Sequence, residues 1–170
     1  MNLLRSVLLL FLVVGVSVAQ TTSGSKTKTT PDLSGVWALD ESRSEIDPRR
    51  IKEENYVLTI VHKEPEIRLT KTYQQHGRNK TDEAIYYTDG RPEYHSRTGK
   101  DSEPVTRWRG SKLVRKSVTA PAGMSGPYPS LEIVMTEEFE LSADGKTLTR
   151  TITHSGTLMR KVRYVFIRVS

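Results

Sequence analysis

The chain has 170 residues, carries a formal net charge of +6 at pH 7, is 35% apolar and contains no cysteine. This length suits one ordinary domain beyond any processed segment, and the missing cysteines exclude disulfides, thiol catalysis and cysteine-based zinc sites. The positive balance would suit an acidic surface, but Lys and Arg alternate with Thr and Glu as on a solvated sheet face. With no basic helix and no aromatic-studded basic strand, nucleic-acid binding is not expected.

Residues 1–19 read as an export signal. Arg5 supplies a positive start, Val7 to Val14 is an apolar core too short to span a bilayer, and Val16-Ser17-Val18-Ala19 offers small residues before a cut after Ala19. No cysteine follows to carry a lipid, so the mature chain is expected to be exported, periplasmic or extracellular, and soluble, with no transmembrane span. An exported domain without disulfides fits a bacterial envelope protein. Residues 20–32 are a Thr/Ser/Lys-rich linker without the apolar residues needed to fold, and are expected to be disordered. The domain proper is 33–170.

From there the chain reads as punctuated strands. Leu33 to Leu39 is the first and carries Gly35 and Trp37; Asp40 to Arg50 supports a loop or one helical turn. Tyr56, Leu58 and Ile60 share one face of the next strand. After a turn at Glu64-Pro65, Ile67, Leu69, Lys71 and Tyr73 alternate against Arg68, Thr70 and Thr72. Gly77 to Lys80 turns the chain, Glu83 to Thr88 follows, and Asp89-Gly90 signals a hairpin. Glu93 to Arg97 and Val105 to Arg109 are weaker strands, and Gly110-Ser111 leads into Leu113 to Val118. Thr119 to Ser130 is a Gly/Pro-rich loop long enough to fold over a barrel mouth, with Met124 and Tyr128 as its apolar contacts.

The strongest alternation comes next. Leu131, Ile133, Met135, Phe139 and Leu141 face one way, with Glu137 as the polar exception. A tight turn at Ala143 to Lys146 leads to Leu148, Arg150, Ile152 and His154 opposed to Thr147, Thr149, Thr151 and Thr153, and Val162 to Val169 closes the chain. No segment keeps a helical period beyond two turns. Such a meander must pack as a sandwich or close into a barrel, and closure removes the exposed edges. The expected fold is an all-β, antiparallel up-and-down barrel of about 8–10 strands.

Gly35 and Trp37 on the first strand, with an Arg late in the last, resemble the lipocalin and calycin superfamily. That resemblance implies a barrel closed at one end by Trp37, with Arg168 packed over its ring and Arg163 as the second choice; Gly35, Trp37 and Arg168 are then the structural plug. More closely, the chain is similar to small exported lipocalin-like proteins of acidobacteria and related bacteria. The matching motifs are Leu-Ser-Gly-x-Trp-x-Leu-Asp at 33–40, then Trp108, Gly110 and Leu113, then Leu-Ser-x-Asp-Gly-Lys-Thr-Leu-Thr at 141–149. The resemblance spans roughly 33–168 and implies a fold and a compartment rather than an activity.

The ligand-binding wall expected inside the barrel is Tyr56, Leu58, Ile60, Leu69, Tyr73, Ile133, Met135, Glu137, Leu148, Arg150, Ile152, Tyr164 and Phe166. Its occupant would be a small apolar or amphipathic molecule. Glu137 on an apolar face requires a partner, and a turn centred on Asp144-Gly145 brings Arg150 within its reach. Trp108 alternates away from Arg107 and Arg109 and so belongs to the core or wall. His62, His76, His95 and His154 have no metal-ligand spacing, though His62 and His154, both at strand ends, are placed to meet at one rim. There is no nucleophile-elbow motif and no phosphate-binding Gly loop, so neither catalysis nor a cofactor or metal is expected. The alternative to a ligand carrier is an envelope interaction module with a filled core and a working outer surface.

Overall fold

The computed structural model describes residues 30–46, 52–95, 104–119, 133–155 and 160–169. The expected export signal, most of the expected linker and the stretch from Ala120 to Ser130, with Met124 and Tyr128, lie outside the described residues. The described chain is all-β, with ten strands. They are β1 (Gly35–Leu39), β2 (Glu54–Lys63), β3 (Glu66–Gln75), β4 (Arg78–Tyr87), β5 (Tyr94–His95), β6 (Val105–Arg109), β7 (Lys112–Thr119), β8 (Ile133–Leu141), β9 (Thr147–Ser155) and β10 (Arg160–Arg168). The one helical piece among the described residues is a single 3-10 turn, Glu41–Arg43, started by Asp40, whose carboxylate accepts from the Arg43 backbone N–H at 3.2 Å.

All ladders are antiparallel, and the sheet order is β5-β4-β3-β2-β1-β10-β9-β8-β7-β6. Sequence neighbours are spatial neighbours within β1 to β5 and within β6 to β10, and β1 joins the two runs by pairing with β10, setting Trp37 opposite Arg168. The seam falls between β5 and β6, where no ladder joins the described residues. Side chains bridge it instead. Thr106 Oγ1 donates to Glu93, Trp108 Nε1 donates to Glu64, and Arg115 Nε donates to Glu93 Oε2 at 2.7 Å.

The strands form because their inward residues are apolar and their outward residues are β-branched or charged. On β9 the inward set is Leu148, Arg150 and Ile152, while Thr147, Thr149, Thr151 and Thr153 cover the outside. The packed core gathers at one end. Leu33, Trp37, Ile67, Leu113, Phe139, Leu148 and Phe166 are wholly buried there, beside the turns that join β2 to β3, β6 to β7 and β8 to β9.

Several boundaries differ from the sequence expectation. β4 begins at Arg78 rather than Glu83, because the turn is the two-residue His76-Gly77 link, with φ of 50° and 71°. β5 is only two residues long, and it reaches β4 by pairing Tyr94 with Ile85, so Asp89-Gly90 sits in a wide connection and not in a tight hairpin. β10 starts two residues early, at Arg160.

Candidate functional site

Away from the packed end the barrel is hollow. A cavity of about 310 Å³ lies between β2, β3 and β4 on one side and β7 to β10 on the other. Of the residues expected in its wall, Tyr56, Leu58, Leu69, Met135, Glu137, Arg150, Ile152 and Tyr164 line it. Ile60, Leu148 and Phe166 are instead buried in the packed core, Tyr73 is buried at the opposite end near the β3–β4 turn, and Ile133 is exposed at the start of β8. The wall also holds six residues that the sequence reading did not assign to it: Lys71, Asp82, Glu83, Ala84, Tyr86 and Arg115.

The polar part of the wall is a chain of alternating charge. The register sets Phe139 opposite Arg150, which brings Arg150 beside Glu137 two residues along β8. Arg150 Nε donates to Glu137 Oε1 at 2.5 Å, and Arg150 Nη1 donates to the Tyr56 hydroxyl at 2.8 Å. Across the barrel, the Tyr86 hydroxyl donates to Glu137 Oε2 at 3.1 Å. Arg115 Nη1 stands 3.9 Å from the same oxygen while its Nε holds Glu93. Two buried carboxylates, Glu93 and Glu137, thus match two guanidinium groups, as buried ions require. The guanidinium of Arg115 also lies 4.9 Å from the ring centroid of Tyr86.

Electrostatics follow from this packing. Burial alone would raise the Glu137 carboxyl, but the charges of Arg150 and Arg115 and the hydrogen bonds from Arg150 and Tyr86 hold it below its ordinary value. Burial works against the charge on Arg150, yet Glu137 and the neighbouring phenols hold its pKa well above the ordinary value. Burial pushes the hydroxyls of Tyr56 and Tyr86 upward, so both stay protonated donors. At the rim, Lys71 Nζ bonds Glu53 at 2.8 Å, stands 3.7 Å from Asp82 and lies 4.0 Å from the Tyr73 ring centroid. Burial outweighs those acids and lowers its pKa.

The plug residues sit at the packed end. The Trp37 indole is wholly buried, its Nε1 donates to the Leu33 carbonyl at 3.1 Å, and the Arg168 guanidinium covers its ring at 4.2 Å. Arg168 is itself fixed by the carbonyls of Gly145 and Ser34, at 2.8 and 2.7 Å. Arg163 points elsewhere and donates to the Arg43 carbonyl. Gly35 adopts φ 147° on the first strand and pairs with Ile60.

His62 and His154 do not meet. β2 and β9 run antiparallel across the sheet order, so their C-terminal ends lie at opposite ends of the barrel. His62 is structural: its Nδ1 accepts from the Leu33 backbone N–H at 3.3 Å, its Nε2 faces Glu64 at 3.0 Å, and its ring packs on Trp108. Trp108 is partly buried against the core, in keeping with its alternation. Among the described residues no cluster of His, Asp or Glu is arranged to hold a metal, and no helix is long and apolar enough to cross a membrane.

The fold and the site together define an antiparallel up-and-down barrel, plugged at one end by a tryptophan and hollow toward the other, with a charge-paired cavity wall. No protein-family model matches this chain, and no curated protein matches it.

Proposed function

We propose that this is an exported, lipocalin-like carrier that binds one small amphipathic molecule inside its barrel. The observation that carries the reading is the cavity, with room for about ten waters or a ligand of roughly a dozen heavy atoms at interior packing density. Leu58, Leu69, Ala84, Met135 and Ile152 offer apolar contact for a hydrocarbon body. Tyr56, Glu137 and Arg150 offer an orienting polar end on the same wall. A barrel filled throughout would have favoured the interaction-module alternative; the hollow favours a carrier. Export rests on the Arg5-led apolar leader and on a cysteine-free domain that suits the bacterial envelope.

The test is isothermal titration of the mature protein with decan-1-ol, together with native mass spectrometry of protein purified from its own host. One molecule should bind per chain, and Ile152→Trp, which narrows the cavity from β9, should weaken binding while the protein stays folded. A wild-type protein that takes up no heat and carries no adduct would sink the carrier reading.

A further inference from the structure

The buried polar wall has an unusual arrangement for a ligand site: its anion position is already filled. Two guanidinium groups and a phenol converge on one point, from Arg150 on β9, Arg115 on β7 and Tyr86 on β4. That donor set suits a ligand's carboxylate. Here the chain supplies the carboxylate itself, from Glu137 on β8, whose side chain is 2% exposed. The charges close without a ligand, because Glu93 takes the remaining demand of Arg115 at 2.7 Å.

We infer that Glu137 is a specificity determinant: a built-in carboxylate that excludes anionic amphipaths and reserves the cavity for neutral ones with a hydroxyl or amide head. The inference rests on the carrier reading above. The other cation of the wall, Lys71, is already held by Glu53 and faces Asp82, so a ligand carboxylate would meet a resident anion beside each of these cations, and two such groups do not both stay ionised at close range. A fatty acid would therefore enter in its protonated form. With an ordinary carboxyl pKa near 4.3, only about one molecule in 500 is protonated at neutral pH. A neutral hydroxyl meets no such obstacle. It can donate to Glu137 and accept from the Tyr56 hydroxyl or Arg150, all of which line the cavity.

The experiment compares decan-1-ol with decanoate, which match in chain length and differ in head charge, by isothermal titration at neutral pH. Wild type should bind decan-1-ol at least about 100-fold more tightly than decanoate. Glu137→Gln removes the resident charge and keeps the shape; it should shift the preference between the two ligands toward decanoate at least about 10-fold. Decanoate, and not decan-1-ol, should then raise the melting temperature of this variant more than that of wild type. A second measurement needs no variant: decanoate binding to wild type should strengthen as pH falls toward about 5 while decan-1-ol binding stays flat.

Comparable affinity of wild type for both ligands at neutral pH would overturn the inference and leave the carrier standing. So would a folded Glu137→Gln protein with unchanged preference. Binding of neither ligand by wild type or variant would overturn both.

Discussion

Replacing Trp37 by alanine tests the barrel at the point where most of its packing meets. The indole is 0% exposed and belongs to the core cluster that closes one end. Truncating a buried Trp or Phe to Ala removes its transfer free energy and leaves a partly collapsed hole, a loss of about 3–5 kcal/mol. Two further contacts go with it. The Nε1 bond to the Leu33 carbonyl, at 3.1 Å and buried, is worth about 1 kcal/mol. The Arg168 guanidinium at 4.2 Å from the ring adds about 0.5–2 kcal/mol. These contributions overlap, so about 4–5 kcal/mol is expected, or a melting temperature lower by roughly 15 °C for a domain of this size. Urea denaturation followed by far-ultraviolet circular dichroism avoids the change in tryptophan signal and gives the slope as well as the midpoint. Trp37→Phe retains much of the packing and loses the Nε1 bond, so it should fall near 1–2 kcal/mol. A loss below about 2 kcal/mol for Trp37→Ala, with unchanged slope, would refute the assignment of this residue as the plug.

Two other expectations concern charge and turn geometry. The Glu137 carboxyl lies below its ordinary value of 4.5, because Arg150, Arg115 and Tyr86 overcome the effect of burial. A depressed folded pKa gives stability that is complete above the unfolded value and is lost as pH falls through the folded one. The urea midpoint of wild type should therefore drop as pH falls below about 5, and Glu137→Gln, less stable at neutral pH, should show a shallower drop; parallel curves would argue against the buried pair. His76 holds φ 50° in the two-residue link between β3 and β4, beside Gly77 at 71°. Asn tolerates that conformation better, so His76→Asn should stabilise by a few tenths of a kcal/mol, while β-branched His76→Val should cost about 1–2 kcal/mol, read from the same urea curves.

The architecture was legible where alternation is strong and turns are short. On β8 and β9 the inward sets read directly, and centring the turn on Asp144-Gly145 predicts the register that sets Phe139 opposite Arg150. The missing half of the cavity wall was hidden for specific reasons. Lys71 shares its face with Leu69 and Tyr73, but a lysine between them reads as an exposed interruption, not as a wall group flanked by Glu53 and Asp82. The run Arg78 to Glu83 has no apolar alternation, so the first half of β4, with Asp82, gave no strand signal. On β7 one face alternates Lys112, Val114, Lys116 and Val118 and the other Leu113, Arg115 and Ser117, so each mixes apolar with basic residues and neither marks the face of Arg115 as the inward one. The approach of Tyr86 to Glu137 spans 51 residues and has no local signature at all.

The cyclic strand order has a consequence for assembly of the chain. Of the ten neighbour relations a closed ring of these strands needs, nine are formed; among the described residues the one left open lies mid-sequence, between β5 and β6, while the first and last strands are zipped together. Each half, β1 to β5 and β6 to β10, is a run of local antiparallel pairings that can form early. The link between the halves is non-local: Arg168 donates to the Ser34 carbonyl across 134 residues. Contacts of that separation carry the loop-closure entropy of nearly the whole domain and set the pace of folding. The tryptophan plug and its arginine cover straddle that last joint, so two preformed half-shells become a barrel only when the two ends of the domain meet.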